Sequence, residues 1–339
     1  AGYSVSLSSD GSVVAIGARW NDGNGSASGH VRIYRNNSGT WTKIGNDIDG
    51  EATDDWSGNS LCLSSDGSVV AIGAYKNNGN GSSSGHVRIY QNNSGTWTQI
   101  GSDIDGESAY DNSGYSVSLS SDGSVVAIGA YLNNGNGNTS GHVRIYKNNN
   151  GSWQQIGSDI DGEAKYDYSG KSVSLSSDGS IVAIGAPDND GNGSNSGHVR
   201  IYRNVNESWT QIGSDIDGEA ASDYSGNSVS LSSDGSVVAI SAYGNDGNGS
   251  SSGHVRIYQI ELDKTSPSIT GPSGSAGAGN SAKSINENST AVHTFSANES
   301  VTWSLNGGAD AGKFNINSSS GALSFANAPD YENPTDSGS

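Results

Sequence analysis

The chain has a single cysteine in 339 residues, Cys62, and no methionine. One thiol excludes a disulfide framework, so no covalent staple holds the loops together. Basic residues are scarce: 16 Lys and Arg face 35 Asp and Glu, for a formal charge of −19. With no Lys/Arg cluster, such a chain repels phosphate backbones and anionic membrane surfaces, which argues against nucleic-acid and lipid partners. No apolar run approaches the ~20 residues a membrane-spanning helix needs, so direct membrane insertion is not expected. Only 32% of the residues are hydrophobic. Scattered, that content would suggest disorder, but here the apolar residues cluster in short β-branched runs. No signal-peptide pattern opens the chain, which begins inside a repeat, so any export signal is expected outside it.

What the chain does have is a repeat with a period of 56 residues. Gly2, Gly58, Gly114, Gly170 and Gly226 open the same phrase, Gly-x-Ser-Val-Ser-Leu-Ser-Ser-Asp-Gly-Ser-Val-Val-Ala-Ile-Gly-Ala, with small variations. Asp10, Asp66, Asp122, Asp178 and Asp234 keep the period, as do His30, His86, His142, His198 and His254. Units are assigned to residues 2–57, 58–113, 114–169, 170–225 and 226–262, the fifth lacking its last quarter. The copies are nearly identical, so invariance between them says little about which positions matter.

One unit reads as four strands. Ser116-Val117-Ser118-Leu119-Ser120 alternates polar and apolar, the period of a half-buried strand. Ser121-Asp122-Gly123-Ser124 has the chemistry of a tight hairpin turn. Val125 to Ala130 is apolar on both faces, as befits a strand between packed sheets. After a polar loop, His142 to Tyr146 alternates again, and Trp153 to Ile156 is a short fourth strand. Gly157 to Tyr168 reads as an acidic connection to the next unit. A lone sheet cannot hide two apolar faces from water. Stacking the units buries both, and curving the row into a ring leaves few open edges. The expected fold is therefore all-β, an array of propeller blades, incomplete here and drawn from a ring of about seven. A β-helix is the alternative, disfavoured by the long repeat and the hairpin turns.

These residues resemble the FG-GAP repeat of integrin-type β-propellers over residues 1 to about 260. Ser-Gly-x-Ser-Val stands at the family's Phe-Gly, Gly185-Ala186-Pro187 matches its Gly-Ala-Pro, and Gly-His-Val-Arg-Ile-Tyr matches its Gly-x-Val-x-Val-Tyr strand. Arg19, Tyr75, Tyr131 and Tyr243 replace the proline in the other copies. Calcium-binding members carry Asp-x-Asp-x-Asp-Gly between the first two strands. Here that turn keeps only Ser-Ser-Asp-Gly, and one carboxylate cannot supply the six to eight oxygens calcium takes.

Composition changes after Ile260. Residues 263–282, rich in Ser, Gly and Pro, read as a linker. Residues 283–339 resemble a cadherin-like domain of bacterial surface proteins, through Asn286-Glu287-Asn288, Val301 to Leu305, Ala311 to Ile316, Ser320 to Phe325 and Asp330-Tyr331-Glu332. The resemblance implies an immunoglobulin-like sandwich, truncated at its C-terminal end, with Glu287, Asp330 and Glu332 as calcium ligands of an incomplete site.

Weaker calcium candidates recur at the end of each unit: Asp47, Asp49 and Glu51; Asp103, Asp105 and Glu107; Asp159, Asp161 and Glu163; Asp215, Asp217 and Glu219. Solvated acidic loops are the competing reading. The Asn-Asp-Gly-Asn-Gly stretches at 21–25, 189–193 and 245–249 read as polar hairpins. The five histidines lie too far from a propeller axis to converge on one ion. Trp41, Trp97, Trp153 and Trp209 read as packing between blades, with stacking on sugar rings as the alternative. No nucleophile–base–acid arrangement appears, so an enzyme is not expected. The reading is an extracellular or cell-surface bacterial adhesion protein, calcium-dependent through its cadherin-like domain. The propeller is an interaction or spacer module for surface proteins, glycans or adjoining domains of the full-length chain. A glycan-binding lectin and a secreted polysaccharide-degrading propeller are the alternatives.

Overall fold

The computed structural model describes residues 1–262, 269–273, 282–285, 289–297, 301–305 and 311–328. The chain divides into two compact units, Ala1–Leu262 and Asp263–Ser339.

The first compact unit is a row of antiparallel sheets, one per repeat. In the third repeat the strands Ser116–Leu119, Val125–Ala130, His142–Asn149 and Ser152–Gln155 follow in spatial order. The segment read as a plain acidic connection also contributes a short strand, Ile160–Asp161. It pairs with the near end of the long third strand, His142 opposite Asp161 and Val143 opposite Ile160. The fourth strand pairs with the far end of that same strand, Tyr146 to Asn149. Eight residues give the third strand room for two partners along one edge. The first four repeats all form such five-stranded sheets; the fifth has three strands, Ser225–Leu231, Val237–Ala242 and His254–Gln259.

No repeat owns a core. Alternation along the second strand sends Val125 and Ala127 to a cluster shared with Val173, Leu175, Val182 and Ile184 of the following repeat. Val126 and Ile128 go instead to a cluster shared with Val69, Ala71, Val87 and Ile89 of the preceding one. The side-chain period of 2 thus divides one strand between two interfaces. The end sheets show the consequence. Val143 and Ile145 are 0% and 1% exposed, whereas their counterparts Val255 and Ile257 in the fifth sheet are 64% and 71% exposed. At the other end, Val5 and Leu7 are exposed.

Polar contacts fix the spacing between sheets. The N–H of Ser9, Ser65, Ser121 and Ser177 each donates to the carbonyl of the equivalent serine one repeat on, at 2.8 Å. A second series runs from a leucine N–H back to a serine Oγ, as from Leu175 to Ser118 at 3.0 Å. Cys62 takes the serine's place in one copy, its Sγ accepting from the Leu119 N–H at 3.3 Å. Burial pushes its thiol pKa up, so the residue acts as a small packed acceptor rather than a reactive thiol.

The hairpin turns are self-contained. Ser120 Oγ donates to Asp122 Oδ1 at 2.6 Å, and the Ser124 N–H donates to the same oxygen at 2.9 Å. The carboxylate at the FG-GAP calcium position is thus consumed by its own turn. In the first copy, hydrogen bonds from Ser8 and Ser12 pull the Asp10 pKa down to about 2.

Adjoining repeats approach closely at Gly129. A Cβ there would stand 2.0 Å from the carbonyl oxygen of Gly170, in the following repeat. Gly17, Gly73 and Gly185 meet Gly58, Gly114 and Gly226 in the same way, at 2.0–2.2 Å. The fifth repeat carries Ser241 at this position, and its hydroxyl bonds Ser228 within its own sheet.

In the second compact unit, described strands Ala291–Thr294, Ala322–Phe325 and Phe314–Ile316 form one small sheet, and Ile269–Thr270 pairs with Ser296–Ala297. Phe314 stacks on Phe325 at 4.8 Å. The calcium candidates Glu287, Asp330 and Glu332 lie outside the described residues.

Gly129→Ala drives a methyl into a backbone carbonyl and is expected to cost about 2–3 kcal/mol in denaturant unfolding. Ser241→Gly should move stability by less than about 1 kcal/mol. Equal effects at the two positions would contradict the close-approach account.

Candidate functional site

The acidic segments of the sequence analysis are divided by the fold. Asp159 and Asp161 stay beside His142 of their own repeat, with Nδ1 to oxygen distances of 3.5 and 4.0 Å. Glu163 of the same segment reaches the following repeat, where its Oε2 stands 3.8 Å from His198 Nδ1. The three carboxylates of one segment therefore do not gather at one point. The first three junctions instead each assemble a glutamate from one repeat with a histidine and an aspartate from the next: Glu51, His86 and Asp103; Glu107, His142 and Asp159; Glu163, His198 and Asp215.

Local structure explains the assembly. His142 opens the third strand, and pairing with Ile160–Asp161 sets Asp161 opposite it. Val143 and Ile145 point to the core on one face of that strand. His142 and Arg144 point to the other, against the preceding repeat. Arg144 Nη2 donates to the Asp105 carbonyl at 2.6 Å, and its Nη1 lies 3.7 Å from Glu107 Oε1. Gln155 Nε2 donates to Asp159 Oδ1 at 2.7 Å, orienting that carboxylate.

His142 is 1% exposed, and neither ring nitrogen has a hydrogen-bond partner among the described residues. Burial, with the Arg144 charge beside it, pushes its pKa down to about 4 against the opposing pull of Asp159. The imidazole is neutral near pH 7 and offers a lone pair rather than a charge.

The ends of the array differ. In the first repeat Asp47 is held by Arg32 at 2.8 Å and by Lys43 at 2.7 Å. In later repeats the arginine turns to the preceding repeat: Arg88, Arg144, Arg200 and Arg256 each donate to the carbonyl of Asp49, Asp105, Asp161 or Asp217 at 2.6 Å. Glu219 meets His254 and Arg256 at the last junction.

A second constellation lies nearby and was not singled out from the sequence. Asp55, Asp111, Asp167 and Asp223 are buried carboxylates. Asp111 accepts from the Ser108 N–H at 3.0 Å and from Asn133 Nδ2 of the next repeat at 3.0 Å. Burial raises its pKa. Its neighbours Tyr110 and Asn112 both have positive φ, 70° and 56°, so the buried carboxylate anchors a strained connection. The 56-residue spacing of these aspartates was the available signal.

Shallow grooves open at three junctions. One of about 390 Å³ is lined by Asp47, Asp49, Tyr90, Thr96 and Trp97 among others. Its equivalents, about 450 and 200 Å³, present Asp103, Tyr146 and Trp153, and Asp159, Tyr202 and Trp209. Trp97 packs against the core shared by the first two repeats, and its Nε1 donates to the Ile44 carbonyl at 3.1 Å. Trp97, Trp153 and Trp209 thus pack between blades and each borders a groove, whereas Trp41, read with them from the sequence, is exposed because no described sheet stacks on its face.

Arg144→Met removes a buried charged donor from the Asp105 carbonyl of the preceding repeat and is expected to cost about 2–3 kcal/mol. Arg32→Met removes only a partly exposed ion pair and should cost less than about 1 kcal/mol. Chemical denaturation of both variants checks this contrast, and equal losses would contradict the inter-repeat role of Arg144.

Against protein-family models, residues 159–202 match the FG-GAP repeat. No curated protein matches the chain. Among solved structures, a candidate 6-phosphogluconolactonase from Bacteroides uniformis aligns with a TM-score of 0.53 at 13% identity, covering 78% of this chain and 69% of its own. A candidate TolB from Agrobacterium tumefaciens aligns with a TM-score of 0.44 at 14% identity, over 76% of each chain. The first likeness bears on fold alone. With the repeated antiparallel sheets, four strands in sequence plus one short strand in each of the first four repeats, and the FG-GAP match, it makes residues 1–262 an array of β-propeller-type blades.

Proposed function

We propose that the chain is a non-enzymatic, extracellular adhesion or binding protein whose blade array serves as an interaction or spacer module. The observation that carries this reading is the repetition of one surface. Three junctions present the same groove of Asp, Tyr and Trp side chains. Equivalent shallow sites along a rigid row suit multivalent attachment, where linked weak contacts add up to avidity. They suit catalysis poorly, because turnover needs one asymmetric centre. The acidic, disulfide-free composition fits a salty extracellular medium. Adjoining domains of a longer chain, surface proteins and glycans are the partners this reading implies.

Calcium dependence is assigned to the C-terminal region through Glu287, Asp330 and Glu332, on the strength of the cadherin-like resemblance and the preference of hard Ca²⁺ for carboxylate oxygen. Calcium titration calorimetry on a form extended by one more cadherin-like domain is expected to release heat that Glu332→Ala abolishes. No heat, or heat unchanged by the substitution, would contradict it.

A glycan-binding reading is favoured by one specific observation, a half-buried Trp beside carboxylates in each groove, an arrangement that stacks on sugar rings and bonds their hydroxyls. Glycan-array binding by the wild-type chain, lost in a folded Trp97→Ala, Trp153→Ala, Trp209→Ala variant, would support it. Binding unchanged in that variant would exclude the grooves.

A further inference from the structure

The cluster at His142 has ring nitrogens that hydrogen bonding within the array leaves unused. At the second junction, His142 Nδ1 faces Glu107 Oε2 at 3.9 Å and Asp159 Oδ2 at 3.5 Å. All three candidate ligand atoms lie within 4.8 Å of one another. The imidazole is buried, without a hydrogen-bond partner on either nitrogen, and aimed at the carboxylates. The carboxylate side is open, with Glu107 44% and Asp159 28% exposed, which leaves room for a small ion to enter and keep water ligands.

We propose that each complete junction binds one divalent cation of the borderline, zinc-like class, held by His Nδ1 and two carboxylate oxygens from consecutive repeats. Ligand spacing fits. A tetrahedral ion with ligands at about 2.0–2.1 Å places them about 3.3–3.4 Å apart; Asp159 at 3.5 Å already stands near that spacing, and Glu107 at 3.9 Å must swing toward the imidazole to reach it. Charge fits as well. Glu107, Asp159 and Asp161 carry three negative charges against one from Arg144, and the neutral imidazole adds none, so a divalent ion balances the site. Chemistry separates this ion from calcium: one imidazole nitrogen with two carboxylates suits zinc, manganese or nickel, whereas calcium takes six or more oxygens. At His30 the facing carboxylates are Asp47 and Asp49 of the same repeat, and Asp47 is already neutralised by Arg32 and Lys43. The sites are therefore those of His86, His142 and His198. Because Glu107 belongs to one repeat and His142 and Asp159 to the next, the ion would tie neighbouring blades together.

Zinc chloride titrated into the untagged full chain, with calorimetry and metal analysis after equilibrium dialysis, should give three ions per chain. His142→Gln and Glu107→Gln should each remove one of the three, and equimolar calcium should displace none. Fewer than one ion bound, three ions retained in both variants, or displacement by calcium would overturn the proposal. Should His142→Gln fail to fold, Glu107→Gln decides alone, since its partly exposed side chain is not needed for the core.

Discussion

Everything in the blade array depends on how closely one sheet approaches the next. At Gly129 the backbone of one repeat meets the Gly170 carbonyl of the following one with no space for a methyl group. That distance sets the others. It lets Val125 and Ala127 reach the neighbouring strands, brings the Ser121 N–H to the Ser177 carbonyl at 2.8 Å, and places Arg144 against the Asp105 carbonyl. A sheet with two apolar faces is unstable alone, and pairwise stacking is what makes it a unit of structure. The junctions therefore hold both the stability of the array and its chemically distinctive groups.

The same geometry explains why the candidate site sits where it does. A glutamate at the end of one repeat cannot reach the histidine of its own repeat as well as that of the next. Stacking delivers Glu107 to His142 and Glu163 to His198. The first and fifth repeats show what a face does where no described sheet stacks on it. Arg32 folds back on Asp47, and Val255 and Ile257 stand uncovered.

Much of the fold was legible in the sequence because repetition amplifies weak signals. The period-2 alternation of Ser116 to Ser120 and the two-faced apolar run Val125 to Ala130 sufficed to place both strands and to require stacking. The Asp-Gly turn identified the hairpin, where the Asp122 carboxylate accepts from Ser120 and Ser124 of its own turn. The short strand Ile160–Asp161 was not legible, since two residues carry no periodicity and its pairing depends on a long-range partner. The junction cluster was half legible. Its carboxylates were found as acidic segments, but the segment boundaries misled, because ligands separated by 35 residues in sequence, Glu107 and His142, are joined only by stacking. The five histidines, spaced along the array, share no common centre, and each meets carboxylates only within its own repeat or across one junction.

If stacking is what holds the array, backbone groups that bridge repeats must open only when the sheets themselves do. Hydrogen exchange of the full chain tests this directly. The Ser65, Ser121 and Ser177 amides, each donating to the next repeat, should exchange as slowly as strand amides such as those of Val126 and Ile128. Rapid exchange of those serines while the strands stay protected would mean that the repeats are stable on their own, and would contradict the account.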